Sequence, residues 1–399
     1  MMHQSNESNF MPTHTYTRRA VIAKLLQAAA ATAIGAPALS TLAQSVYGGP
    51  NQRRGGLMFY TQAFQRQYGV PAMSVAISKG GRFVYDHAGG MADRQHVAQA
   101  QQDTLFRIAD LSKPITAVTI FSLIEQGKLH PTDKIFGPGS VLNTKFGNPP
   151  NQPYLTEITV DHLLTHTAGG WAADANDPML HNNGWDMAKL ITSTIQNMPL
   201  TRAPGTQWIY SNFGYCLLGR VIEQVTGQPY DAYVQANILA PCGISGMEIA
   251  RNSERQRATN EVIYVGQFSE DPYKINITRM DSTDGWIASS TQLVQFLNHV
   301  AGAPGIPALL KPETISAMTT PAPAYPQGDA RYARGWMVSS NGAGSWWHSG
   351  SLPGSTSLMV HNPDGSCMAA LCNTRSEPHT EMDTALYQMM STLAQNVGG

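Results

Sequence analysis

Hydrophobic and polar positions along the chain follow two periods. Leu57, Phe59, Tyr60 and Phe64 open a helical pattern. Met73-Ser74-Val75-Ala76-Ile77 is β-prone, Lys79-Gly80-Gly81-Arg82 turns, and Phe83-Val84-Tyr85 returns, which predicts a hairpin. Ile115, Val118, Phe121, Leu123 and Ile124 predict a helix that follows Asp110 and ends near Gly127. The middle is less regular: helical patterns at 186–197 and 214–226 interrupt stretches rich in Asn, Pro, Gly and Trp at 140–160 and 170–205. Val294, Phe296, Leu297 and Val300 predict one more helix. Strand patterns return at 346–347, 357–360 and 367–371, and Asn362-Pro363-Asp364-Gly365 turns between the last two. Met382, Leu386, Met389, Met390 and Leu393 lie at helical spacing, a run that reads as core packing rather than as a cofactor box. Strands at both ends with helices between them predict one sheet built from the two termini and an inserted helical region.

Composition narrows the class. The 399 residues allow one large domain or two closely joined ones. A formal net charge of -1 gives no support for a nucleic-acid partner. Only 13% of residues are charged, a balance common among exported proteins. Residues 1–43 read as a leader: Arg18-Arg19 precedes a run rich in Ala and Leu that closes on Ser40-Thr41-Leu42-Ala43. This is similar to a twin-arginine export signal cut after about Ala43, which implies a periplasmic or secreted protein. Lys24 and Gln27 break the run as a membrane span, and no later segment has the length of one. Residues 44–56 read as a linker. The four cysteines, Cys216, Cys242, Cys367 and Cys372, lack metal-ligand spacing and read as small core residues; Cys367 and Cys372, five apart on an expected strand, face opposite sides and are too distant to pair, and export leaves a disulfide between two of the others open. His162 and His166, beside Asp161, lack the glutamate a zincin helix requires, since Leu163 stands there, so no metal and no cofactor is expected.

Three short motifs carry the candidate chemistry. The first is Asp110-Leu111-Ser112-Lys113. One helical turn places Asp110 and Lys113 on one face, and Ser112 is on another. The second is Tyr210-Ser211-Asn212, preceded by Pro204-Gly205 and followed by a helix start. The third is His348-Ser349-Gly350 on an expected strand, with Ser351 next. Leu163 to Gly170, around His166, lies between the first two and reads as a loop-ordering segment.

With these motifs in this order, the chain resembles the serine β-lactamase and DD-peptidase superfamily, on its class C β-lactamase and family VIII esterase side. The resemblance runs from about residue 57 to 395. It implies an α/β fold in which an antiparallel sheet built from both termini is flanked by helices. The α/β part would cover about 57–130 and 285–395, and a mostly helical insertion about 131–284. It also implies a small-molecule substrate and leaves oligomeric state open. By resemblance, the position of Asp110 is that of the acylated serine, in the S-x-x-K pattern. Lys113 and Tyr210 would share the proton work, and Asn212 would orient the substrate. His348, Ser349 and Gly350 would form an edge strand along the cleft. The N–H groups of Ser351 and of residue 110 would form an oxyanion hole. Of the tryptophans near these motifs, Trp171 is a candidate substrate contact.

Aspartate changes what such a site can do. Its attack on an acyl carbon gives a mixed anhydride, whose carboxylate leaves more readily than an alkoxide or amide nitrogen. Three readings follow: Asp110 as an acid or base in hydrolysis, or in an elimination or isomerisation; a site that binds a ligand without turnover; and Asp110 as a structural N-cap paired with Lys113.

Overall fold

A computed structural model describes residues 50–147, 152–267, 269–339 and 344–397. In chain order the elements are α1 (Pro50–Tyr68), β1 (Ala72–Lys79), β2 (Arg82–Asp93), β3 (Ala98–Gln99), β4 (Phe106–Arg107) and α2 (Ser112–Glu125). The middle holds α3 (Val160–Leu164), α4 (Met187–Asn197), α5 (Asn212–Thr226), α6 (Tyr230–Val234), β5 (Glu248–Ile249) and β6 (Trp286–Ala288). Then come α7 (Ser290–Val300), α8 (Pro312–Met318), β7 (Ala330–Tyr332), β8 (Met337–Ser339), β9 (Trp346–Leu352), β10 (Ser355–His361), β11 (Cys367–Cys372) and α9 (His379–Asn396).

Eight strands form one sheet in the order β3-β2-β1-β11-β10-β9-β8-β7, with antiparallel neighbours. The two chain ends meet at its centre, where β1 pairs with β11 and Val75 faces Ala370. The period of two along β1 sorts its side chains. Met73, Val75 and Ile77 join a core cluster with Leu386, Met390 and Leu393 of α9, while Ala72 and Ala76 join the cluster that holds α2 and α7. The polar residues on the α7 face are satisfied there: Ser74 Oγ meets Ser290 Oγ at 2.7 Å, and Ser78 Oγ donates to Asn298 Oδ1 at 2.8 Å.

The expected leader, residues 1–43, lies outside the described residues, as does the first part of the expected linker. The rest of that linker is helix: α1 starts at Pro50. Gly55-Gly56 is poor helix sequence. Leu57 and Phe64 are buried in the cluster that contains α9, and packing of this kind outweighs local propensity. All four cysteines are buried and free, so the disulfide left open by the sequence is absent. No described helix is long and apolar enough to cross a membrane.

α2 is apolar on every side and correspondingly enclosed; Ser112 to Phe121 are all buried. It runs through the interior and carries the Asp110 turn to the sheet edge of the cleft.

Candidate active site

Asp110 sits in a single 3-10 turn, Ala109–Leu111, immediately before α2. Ala109 has φ of +50°, a left-handed conformation that costs a residue with a Cβ of order 1 kcal/mol or more. Neighbouring bonds hold the turn in place. Ser357 Oγ donates to the Ile108 carbonyl at 2.7 Å, Ser355 Oγ to the Arg107 carbonyl at 2.6 Å, and the Ile108 N–H to the Trp286 carbonyl at 3.0 Å. Gly350 of β9 faces the turn so closely that a Cβ there would lie 2.7 Å from the Ile108 oxygen and 2.9 Å from the Asp110 nitrogen. Ser112, buried and off this face, accepts the Trp286 N–H at 3.3 Å. It ties β6 to the helix start.

The Asp110 carboxylate is where the three motifs converge. Oδ1 accepts from Lys113 Nζ at 2.8 Å and from the Tyr210 hydroxyl at 2.8 Å. Oδ2 accepts from the Ser351 N–H at 3.2 Å. The structural reading of Asp110 as an N-cap is corrected here. The residue before α2 is Leu111, with helical φ and ψ and no side-chain cap, and the carboxylate is spent on cleft groups instead.

Lys113 is fully buried and does not line the cleft. Its Nζ also donates to the Thr283 carbonyl at 3.2 Å and lies 3.5 Å from Asp284 Oδ1. Asp284, 1% exposed, is a second buried carboxylate at the site. The sequence reading missed it: it belongs to no motif, and it meets Lys113 across 171 positions of chain.

Tyr210 is held from behind. The Ser211 N–H donates to His166 Nδ1 at 3.1 Å, the His166 ring lies 4.1 Å from the Tyr210 ring, and Ser211 Oγ caps α5 through the Gly214 N–H at 3.0 Å. His166 thus orders the loop that carries the phenol.

His348, on β9, lines the cleft with Ser349, Gly350 and Ser351. Its Nδ1 is 2.6 Å from the Ser349 carbonyl, which can only accept, so Nδ1 carries the proton. Nε2 lies 3.3 Å from the Tyr332 hydroxyl. Burial pushes the Tyr332 phenol well above its ordinary range and keeps it neutral. Both imidazole nitrogens thus have partners within the protein, and the ring itself lines the cleft.

Two further expectations change. Trp171 is buried on Phe213, 4.9 Å between ring centroids, with its Nε1 donating to the Met198 carbonyl at 2.9 Å. Asn212, at the start of α5, is buried and donates from Nδ2 to Asp177 Oδ2 at 2.6 Å. Neither lines the cleft; internal partners take the place of the expected substrate contacts. The apolar walls come from Trp208, Tyr332, Met337 and Trp347, and Arg375, His379 and Asp383 also line the cleft. No group of side chains suited to a metal ion occurs among the described residues.

A family model described as beta-lactamase matches residues 60–391. The chain belongs to the beta-lactamase family. Among curated relatives, esterase EstB of Burkholderia gladioli is 31% identical over 200 residues, 46% of this chain and 48% of the esterase. A putative D-alanyl-D-alanine carboxypeptidase of Escherichia coli (strain K12) is 27% identical over 316 residues, 69% of this chain and 70% of that protein. The match thus spans about half the length of the esterase and rather more of the carboxypeptidase. The octameric penicillin-binding protein homologue from Pyrococcus abyssi superposes with a TM-score of 0.68 at 25% identity, covering 85% of this chain and 77% of that one. D-amino acid amidase from Ochrobactrum anthropi SV3, in complex with L-phenylalanine amide, has a TM-score of 0.67 at 20% identity, covering 87% and 99%. At that identity the likeness is one of fold. These matches agree with the α/β architecture and family resemblance read from the three motifs.

Proposed function

We propose that this chain is an exported hydrolase of the beta-lactamase family, acting on an ester, amide or lactam-like small molecule with Asp110 as general base. The observation that supports this is the carboxylate at the cleft floor, fixed by the Lys113 ammonium, the Tyr210 hydroxyl and the Ser351 N–H. Asp110 takes a proton from a water as the water oxygen adds to the carbonyl carbon. The tetrahedral adduct then collapses with loss of the C–O or C–N bond. The leaving atom takes its proton from the Tyr210 hydroxyl, which is reprotonated by the Asp110 carboxyl. Lys113 makes no substrate contact and holds the carboxylate in place. Trp208, Tyr332 and Trp347 favour a substrate with an apolar or aromatic group.

A second reading, ligand binding without turnover, is favoured by one observation. Asp110 Oδ2 already occupies the Ser351 N–H, one of the two oxyanion donors that the family resemblance implies.

A panel of esters, amides and β-lactams assayed between pH 5 and 9 separates these readings. General-base hydrolysis gives turnover by the wild type that falls by about two to four orders of magnitude in Asp110→Asn. Saturable binding of a panel member, equal in both proteins and without turnover, supports the second reading. For export, fusion of residues 1–43 to a reporter should carry it out of the cytoplasm, and Arg18→Lys with Arg19→Lys should retain it.

A further inference from the structure

Where α9 borders the cleft, acidic side chains outnumber basic ones. Arg375 lines the cleft there, but its charge is already matched. Its Nε donates to both carboxylate oxygens of Glu270 at 3.1 Å, its Nη2 also meets Glu270, and Glu377 Oε1 lies 3.3 Å from Nη2. Asp383 lines the same cleft and is 5% exposed. One guanidinium thus stands with three acidic side chains, Glu270, Glu377 and Asp383. At the Asp110 turn, the ammonium of Lys113 likewise stands with two, Asp110 and Asp284. A cleft with an excess of one sign of charge concentrates ligands of the other sign. The start of α9 does not reverse this, since Glu381 occupies the first turn, at the positive end of the helix dipole.

Aromatic rings line the same cleft. The Trp347 ring centroid lies 6.5 Å from that of Tyr387, which is one helical turn along α9 from Asp383. An indole and an acidic side chain therefore border the cleft together. Trp208, Tyr210 and Tyr332 supply three more rings, with centroids 6.1 Å, 6.2 Å and 6.0 Å apart. His166 packs 4.1 Å from the Tyr210 ring and 4.7 Å from the Tyr332 ring and holds them in place. The negative face of an aromatic ring attracts a cation, and that of an indole does so most strongly. Apolar walls alone would accept a neutral group equally well. The acidic excess together with the indole selects a cation.

We infer that Asp383 and Trp347 form a subsite for a cationic ammonium group on the substrate. The ammonium lies against the indole and beside the Asp383 carboxyl group, while Trp208 and Tyr332 hold an apolar or aromatic part. Both residues set specificity and take no part in the bond-making steps. The subsite deepens the proposed function and rests on it for the place of the reacting carbonyl, but ammonium binding itself needs no turnover. A carboxylate on the substrate would find Arg375 already claimed by Glu270 and would face Asp383, so anionic substrates are disfavoured.

The test uses the full chain at pH 7 and two esters of equal shape, choline phenylacetate and 3,3-dimethylbutyl phenylacetate, which differ by the charge of one atom. Hydrolysis is followed as kcat/KM, and an ester that is not hydrolysed is titrated by tryptophan fluorescence for its Kd. The wild type should prefer the choline ester by about tenfold or more. Asp383→Asn and Trp347→Leu should each erase most of that preference by weakening the choline ester, with the neutral ester changed by less than about twofold. Equal treatment of the two esters by the wild type, or a preference undiminished in both variants, would overturn the subsite. If neither variant folds, the wild-type preference decides: its presence supports the subsite and its absence overturns it. Hydrolysis of both esters at equal kcat/KM would overturn the subsite and keep the proposed function. Hydrolysis of neither would count against the proposed function, and the two Kd values would still decide the subsite.

Discussion

The Ser351 N–H points at Oδ2 of Asp110, 3.2 Å away. The donor that would polarise a substrate carbonyl in an acyl-transfer site is thus engaged by the protein's own carboxylate. Together with Oδ1 on Lys113 and Tyr210, this places the carboxyl group across the space of nucleophile and oxyanion. The wild type should therefore form no adduct with a fluorophosphonate at position 110. Intact-mass measurement after long incubation checks this, and a stoichiometric adduct on any serine of the cleft would show that the nucleophile had been misplaced.

Tyr210→Phe removes one donor to Asp110 Oδ1 and the proton carrier to the leaving atom while keeping the ring that packs on His166. The expected result is a fall in kcat of about a hundredfold with KM little changed. Stability should change by only about 1 kcal/mol, the net worth of one hydrogen bond. Steady-state kinetics alongside a urea melt measure both quantities.

Lys113→Met leaves Asp110 and Asp284 buried without their cation. Breaking a buried pair by removing one partner costs about 3–5 kcal/mol, because the remaining charge is uncompensated. Urea denaturation should show a loss of that order, partly recovered by adding Asp284→Asn. A loss below about 1 kcal/mol would mean that the carboxylates are not held by this lysine.

Three histidines set an acid limit on stability. His87, His162 and His361 are each held below the ordinary imidazole range, in every case first by burial. His361 also stacks on Trp346 with ring centroids 4.5 Å apart. For a group whose folded-state value is lowered, the unfolded chain takes up the proton first as pH falls. Stability is therefore full above about pH 6.5 and declines below it. The Tm should drop between pH 7 and pH 5, and His361→Gln should make that drop shallower. An unchanged pH slope in the variant would remove His361 from the account.

Local patterns were legible in the sequence where one residue period dominates. The hairpin around Lys79–Arg82, the helix after Asp110 and the strands around 346–371 all lie where alternation or helical spacing places them. The meeting of Asp110, Lys113 and Tyr210 was legible through motif order, and the geometry joins them through one oxygen. What escaped depends on tertiary partners. The start of α1 at Pro50 runs through two glycines, and its buried Leu57 and Phe64 pack with α9. Asn212 and Trp171 belong to chemically plausible segments, but Asp177 and Phe213, which claim them, are revealed only by the folded chain. The contact of His348 Nε2 rests on Tyr332, sixteen positions away. Asp284 had no local signal at all.

In the proposed hydrolysis Asp110 acts on water rather than on the acyl carbon. A single turnover in heavy-oxygen water, with enzyme in excess over a hydrolysed panel substrate, tests it most directly through mass spectrometry of the product and of the peptide containing Asp110. General-base hydrolysis puts the heavy oxygen into the product acid and leaves the Asp110 peptide unlabelled. Heavy oxygen in the Asp110 carboxyl would mean that an anhydride had formed there, and would contradict the account.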